Sequence, residues 1–409
     1  MGVLTNESIT TNTVYPTKYS RTTTRLAYEL DLDDAINLTA TVYENEMDLW
    51  RDEALNGRAA YRYQEGLATH TGVKVLAESL VESGALSHTI RYGFDHYTEK
   101  TELSQDSVLV SGEKVKSSAI FMEDEISLDN GLTFTPGVRY SRYNMDASFS
   151  DETYTETTWG LASEYTITDD LVVRASSTQL FQGPLLAEVF IGAGNGLIID
   201  PNFKPTTGVN NELGFSFSPN DFFDLDQFTI AATYYESDVE DWIESEDSRT
   251  GPVNQGDFEL DGFEVLLKVT EDNLGASLSY AQSNSENKDT GDQLGRDVGD
   301  SITLSLDADI ESINTRVSWT SMMTLDKDVV EDGVDHEKGG YNVHNLAARW
   351  KSSGVEGLSV SAGIDNMFDE YYVSHASRIG DTFHPVFGEL HLNDYEPGRN
   401  YKVSVSYVF

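Results

Sequence analysis

The feature that most constrains this chain is an alternation of apolar and small polar residues with a period of two, repeated along its whole length. Tyr401, Val403, Val405, Tyr407 and Phe409 alternate with Lys402, Ser404 and Ser406, and Ile302, Leu304, Leu306 and Ala308 alternate with Ser301, Thr303, Ser305, Asp307 and Asp309. The same period runs through Leu358 to Ile364, Phe228 to Tyr234, Leu213 to Phe217 and Ile36 to Val42. Period two belongs to strands with one apolar face and one wet face. No stretch reaches the roughly 20 consecutive apolar residues of a spanning helix, so a helical membrane protein is excluded.

A soluble sandwich hides its apolar face in a core, whereas a transmembrane barrel turns it to lipid and leaves Ser, Thr, Asp and Gly in a wet lumen. Composition bears on the choice. Hydrophobic residues make up 39% of the chain, below the roughly 45–50% of soluble domains, while 21 Tyr, 18 Phe and 5 Trp argue against disorder. Connection lengths decide for the barrel, because they alternate between short and long as in outer-membrane barrels, and neither a propeller nor a solenoid requires this. Short turns are predicted near Leu30–Asp34, Val81–Gly84, Leu128–Gly131, Thr168–Asp170, Pro219–Asp224, Thr270–Asn273, Glu311–Ser312 and Ser352–Gly357. Long polar connections are predicted near Glu46–Gln64, Glu99–Glu113, Asn144–Glu156, Gln182–Asn210, Val239–Gly256, Gln282–Gly299, Leu325–Gly340 and Ser374–Gly398.

The fold expectation is therefore all-β: a transmembrane antiparallel barrel wall of about seventeen strands, each of about ten residues. Tyr43, Tyr92, Phe94, Tyr140, Trp159, Tyr234, Trp319, Trp350 and Phe368 sit near segment ends, as an interfacial aromatic girdle requires. Seventeen is odd and bacterial single-chain barrels are even, so an odd number of strands is expected upstream. The opening MGVLTNESIT shows no signal peptide. Residues 1–409 are expected to be the C-terminal part of a larger barrel.

Several segments then resemble one family. Ser87–Lys100 (SHTIRYGFDHYTEK), Ser177–Phe190 (STQLFQGPLLAEVF), Asp200–Phe217 (DPNFKPTTGVNNELGFSF), Ala362–Tyr372 (AGIDNMFDEYY) and Gly398–Phe409 (GRNYKVSVSYVF) resemble the barrel of TonB-dependent outer-membrane receptors. An FxxP box at Phe181 and Pro184, followed by an NPNL-like box with Pro201, Asn202 and Pro205, resembles the haem and haemoglobin receptor branch. The resemblance implies about 17 of 22 strands, with an absent N-terminal plug that would contact the TonB complex. It also implies a location in the outer membrane of a Gram-negative bacterium, with outer-membrane lipid around it. Two departures stand out: no histidine lies in Leu185–Ile199, and the first box reads FQGP rather than FRAP.

The resemblance makes haem, free or from haemoproteins, the expected cargo, with no intrinsic cofactor. Recognition would use imidazole or phenolate on external loops. His375, His384 and His391 share the last long loop with Tyr395, Tyr372 lies just before it, and His336 is in the preceding one; these six are the ligand candidates. Arg378, Arg399 or Lys338 is expected near the propionates. His88, His96 and His344 share the parity of apolar neighbours and belong to the interfacial belt; His70 is expected away from ligand. Asp326, Asp328, Glu331, Asp332 and Asp335 could offer Ca²⁺ oxygen ligands, although a solvated acidic loop is the plainer reading.

Seventy acidic against 27 basic side chains, net charge −43, speak against nucleic-acid partners. No cysteine is present, which removes thiol catalysis and thiolate metal sites, and the chain holds no P-loop, zincin helix or nucleophile elbow. The chain is expected not to be an enzyme. The rival expectations are a ferric-siderophore or other nutrient receptor of the same family, a passive porin, and a barrel enzyme such as a lipase.

Overall fold

The computed structural model describes residues 17–52, 63–147, 150–184, 186, 204–220, 222–244, 253–331, 333–377, 381–384, 388–391 and 395–408. Its strands are β1 (Thr17–Asp31), β2 (Asn37–Asp52), β3 (Tyr63–Ser83), β4 (Leu86–Gln105), β5 (Val108–Leu128), β6 (Leu132–Ala147), β7 (Ser150–Thr168), β8 (Leu171–Gln182), β9 (Thr206–Phe217), β10 (Gln227–Glu240), β11 (Ile243–Glu244) and β12 (Val253–Asn254). They continue as β13 (Phe258–Glu271), β14 (Leu274–Asn287), β15 (Ser301–Ile310), β16 (Thr315–Thr324), β17 (Lys327–Glu331), β18 (Val334–Lys338), β19 (Tyr341–Lys351), β20 (Leu358–Asp365), β21 (Asp381–His384), β22 (Gly388–His391) and β23 (Asn400–Tyr407).

Seventeen of these strands form one sheet, and β11–β12, β17–β18 and β21–β22 are separate two-stranded hairpins. Along the sheet each strand pairs antiparallel with the next in sequence, from β1–β2 to β20–β23. Among the described residues, β1 and β23 each have a ladder partner on one side only, so the wall is an open barrel segment. No described helix is long and apolar enough to cross a membrane; the crossing elements are strands.

The register separates two faces along the whole wall. On one, Val42 pairs with Val73, Phe94 with Ile120, Ile120 with Tyr140, Ile302 with Met323, and Ala362 with Val403. Ile120, Val403 and Val405 are among the most exposed apolar residues there, as lipid-facing side chains must be when no lipid covers them. The other face carries ion pairs: Arg91 closes on Glu78, Glu123 and Glu125, Arg139 on Asp95, Arg174 on Glu164, and Lys402 on Asp365. Charged pairs on the inner face are what a wet lumen permits.

All eight predicted short turns are present, at one end of the wall. Asp33, Asp272 and Asn314 adopt positive φ there, as do Gly84, Gly131 and Gly357, which matches the turn chemistry of these residues. Two predicted long loops are instead strand extensions. Glu99–Glu113 is a hairpin with Asp106 and Ser107 at its tip, both at positive φ, and Asn144–Glu156 belongs to β6 and β7. The strands are accordingly 8–21 residues long, many longer than the expected ten, because they continue past the bilayer as polar ladders.

The girdle assignment holds for Tyr92, Phe94, Tyr140, Trp159, Tyr234, Trp319 and Trp350, all on the lipid-facing parity. Tyr43 is a correction. It pairs with Gly72 on the lumenal parity, and a Cβ on Gly72 would lie 2.5 Å from the Tyr43 ring. Glycine opposite lets the ring lie flat across the neighbouring strand. His88, His96 and His344 do lie on the outer face, against Asp124, Ser118 and the ring of Trp319 respectively.

Candidate ligand-capture region at the long-loop end

Three groups of side chains lie toward the long-loop end. The first joins a loop to the wall. After β8 the chain turns inward, and Leu186 packs with Val115, Tyr143 and Met145 into a buried apolar cluster, flanked by Tyr97, Tyr154 and Phe181. The Tyr143 hydroxyl donates to the backbone carbonyl of Pro184. Gly183 lies against the same ring, and a Cβ there would come within 2.7 Å of it. Thus Phe181, Gly183 and Pro184 of the first loop box are seated on the lumenal wall. Of the second box, Pro205 precedes β9, while Pro201 and Asn202 lie outside the described residues.

The second group is a row across the lumenal face. Tyr43 and His70 meet edge to face at 5.3 Å between centroids, with Tyr43 Oη and His70 Nε2 3.3 Å apart, and His70 meets Tyr97 at 5.1 Å. His70, expected away from ligand, therefore lies on the inner wall at the long-loop end. The signal available in the sequence was its parity, opposite to that of Val73 and Val75.

The third group surrounds the last long connection. Tyr372 packs on Tyr341 at 4.3 Å, and Tyr371 stacks on Tyr395 at 4.2 Å, next to a bridge between Val373 and Tyr395. Burial, reinforced by Glu396 and Tyr341, raises the Tyr372 phenol above its ordinary range, so phenolate ligation there is disfavoured at neutral pH. His375 is 2% exposed. Its Nδ1 lies 3.1 Å from the Val298 carbonyl and its Nε2 3.0 Å from that of Gly339, and Tyr341 covers its edge.

A neutral imidazole can donate from only one of these nitrogens, and the other is covered by a backbone carbonyl, so neither nitrogen is open to an iron in this arrangement. The ring instead ties its own loop to those of Val298 and Gly339. Lys338 works beside it, donating to the carbonyls of Gly295, Asp297 and His375 at 2.5–3.1 Å. Burial lowers the Lys338 amine to about 8. Lys327 pairs with buried Asp297 at 2.9 Å, and Asp297 also accepts from Ser283 and Ser285. Lys338 is thus turned to backbone rather than to a bound anion, and Arg399 donates to the Met367 carbonyl.

His336 lies in β18 opposite buried Val329, and among the described residues no ring contact or hydrogen bond joins it to His375. His384 and His391 sit in the β21–β22 hairpin, opposite Gly388 and Asp381; Arg378 is outside the described residues. The acidic hairpin holds Asp326 against the Gly340 amide, Asp332 is outside the described residues, and no described group of three or more His, Asp or Glu could hold a metal ion.

A wall of this topology and a loop box seated inside it invite comparison with known barrels. The family model described as TonB dependent receptor-like, beta-barrel matches residues 2–367. This chain belongs to the TonB-dependent receptor family. Over 370 residues it is 22% identical to a hemin receptor of Yersinia enterocolitica, covering 82% of this chain and 53% of the relative. Over 419 residues it is 21% identical to the heme transporter BhuA of Brucella ovis, covering 99% and 60%. The solved structure of the FrpB iron transporter of Neisseria meningitidis superimposes with a TM-score of 0.75 at 18% identity, covering 96% of this chain and 63% of that one. The chain thus spans between half and two thirds of the length of these receptors.

Proposed function

We propose that this chain is the wall and loop-bearing part of an outer-membrane importer that takes up an iron source, haem first among candidates, with energy from the TonB complex. The observation that carries this reading is the seating of Phe181–Pro184 on lumenal Tyr143. A box resembling that of haem receptors is fixed to the inner wall, in a chain similar to a hemin receptor and a heme transporter over most of its length. Capture would occur on the loops, and cargo would pass down the ion-paired lumen without any bond being made or broken. A plug and further strands, supplied outside the wall described here, would close the edges at β1 and β23, which lipid cannot satisfy.

His384, His391 and Tyr395 remain the candidate haem-facing groups, with His336 and Tyr372 around them. The test is a hemin titration of the complete receptor, together with growth on haem as sole iron source with and without TonB. A Soret shift and TonB-dependent growth are expected. A second reading, a ferric-siderophore receptor, is favoured by the engagement of both His375 nitrogens and by the absence of histidine from Leu185–Ile199. Under that reading hemin gives no shift, and a ferric siderophore quenches the loop tryptophan Trp242 instead.

A further inference from the structure

The outer face of β4–β6 carries an arrangement that neither capture nor passage of cargo explains. In a chain with 70 acidic and 27 basic side chains, Lys100 and Lys114 stand directly opposite each other across the β4–β5 ladder. Like charges placed opposite one another on a sheet destabilise it. Lys116 follows two residues on along the same face, so that Lys114 is close enough to both Lys116 and Lys100 for repulsion, and Arg142 lies one register step lower, opposite Ser118. Lys100, Lys116 and Arg142 are exposed.

Among the described residues none of these four closes an ion pair. On the inner face, by contrast, Arg91, Arg139 and Arg174 each close on a carboxylate. At this height on β4–β6 the acids of the outer face are Glu102, at the upper edge, and Asp146, opposite Lys114, with Asp151 beyond it at the hairpin tip; Glu46 lies two strands away from Lys100 on β2, and Asp124, ten residues down β5 from Lys114, is held by His88. Cations therefore remain in excess. Neutral donors surround them: Ser118, Asn144 and Thr153, with Asn144 already bonded to Thr153.

Height and orientation decide what could neutralise the patch. Lys116 and Lys114 lie four and six residues along β5 from Ile120. Ile120 forms a lipid-facing row with Phe94 and Tyr140, and Trp159 is on the same face, beside Val138. At about 3.3 Å per residue along a strand, the ammonium groups stand about 13–20 Å along the strand above that row, less in height once the strand is tilted. This is where headgroups begin. Lysine stems can also reach along the apolar surface to place their charge at a chosen depth.

We propose that this face binds the phosphate-bearing headgroup of an outer-leaflet lipid, with Lys100, Lys114, Lys116 and Arg142 as the anion ligands and the aromatic row beneath them against its acyl chains. The proposal rests on the membrane-barrel reading. A bound phosphate turns the Lys100–Lys114 opposition into a chelate and would hold a lipid on the wall of an otherwise anionic receptor.

The test uses the complete receptor, extracted in a mild detergent and analysed by native mass spectrometry with added diphosphoryl lipid A, and with lipid A from which both phosphates have been removed. The wild type should retain the phosphorylated lipid, and the triple variant Lys100→Gln, Lys114→Gln, Lys116→Gln should retain at least tenfold less. Arg142→Gln alone should give a smaller loss. Unchanged hemin binding and heat-modifiable gel mobility in the triple variant show that it is folded. Equal retention by the triple variant, or equal retention of the dephosphorylated lipid, overturns the proposal. A spin label at Ile120 that senses water rather than lipid would instead remove the barrel reading on which it stands.

Discussion

Tyr143 on β6 donates its hydroxyl to the carbonyl of Pro184, a residue 41 positions later in the chain, and by this contact the loop after β8 is fixed to the lumenal wall rather than left above it. The phenol ring also fills the space that any side chain at position 183 would need. One tyrosine therefore sets both the position and the composition of the first loop box.

Two substitutions probe that contact. Tyr143→Phe keeps the ring but leaves the buried carbonyl without its donor, a loss of about 1–3 kcal/mol of loop docking. Gly183→Val drives a branched side chain into the ring and should cost more. Hydrogen exchange at Leu186 should accelerate in the order wild type, Tyr143→Phe, Gly183→Val, with cargo affinity falling in parallel. Unchanged exchange in Gly183→Val would show that the loop does not rest on this ring.

Spin labels test the two faces of the wall. Labels at Ile302, Leu304, Val403 and Val405 should be quenched by oxygen dissolved in lipid, and labels at Ser305 and Ser404 by a water-soluble nickel chelate. A label replacing Tyr43 should report water, because the register places it inside with Gly72 and His70. Equal accessibility on both faces would contradict the barrel.

The sequence showed the wall clearly and the interior poorly, for a physical reason. Lipid imposes apolar side chains on every second position, so the period and the turns at Asp33, Gly84 and Gly131 could be read without a structure. Above the bilayer both faces are wet, and Glu99–Glu113 and Asn144–Glu156 read as loops although they are ladders. Tyr43 shows the same limit: an aromatic near a strand end looks like girdle until its partner, Gly72, is known. The Lys338, Lys327, Asp297 and His375 clamp is built from three separate stretches of chain, the β17–β18 hairpin and the loops of Asp297 and His375, and leaves no local pattern.

His375 should prove to be a tie rather than a ligand. Replacing it with Ala removes the ring that bridges the Val298 and Gly339 carbonyls, while His375→Gln keeps one amide donor. The amide of Gly340 should exchange faster in the Ala variant and be largely rescued in the Gln variant, with the hemin Soret shift retained in the latter. Joint loss of His384 and His391 should abolish that shift. A shift lost in His375→Gln with normal exchange would restore iron ligation to His375.

The Lys338 amine gives the loop clamp a pH dependence whose sign follows from burial. Desolvation is the largest influence and lowers the amine; Asp297 and Glu331 act the other way, and Lys327 adds to the lowering. For a base whose folded value lies below its unfolded one, the closed arrangement prefers the neutral form. Closure should therefore strengthen as pH rises from about 8 toward 10.5 and gain nothing further above that. The opposing effect, loss of one of three N–H donors to the carbonyls of Gly295, Asp297 and His375, limits the gain without reversing it, because two donors remain. The Lys338 Nζ shift should titrate with a midpoint near 8, and a spin label at exposed Val334 should lose mobility between pH 7 and 9.5 in the wild type but not in Lys338→Met. A midpoint above 10, or a label that loosens through this range, would show that the amine is solvated and that the clamp is held by Lys327 and Asp297 alone.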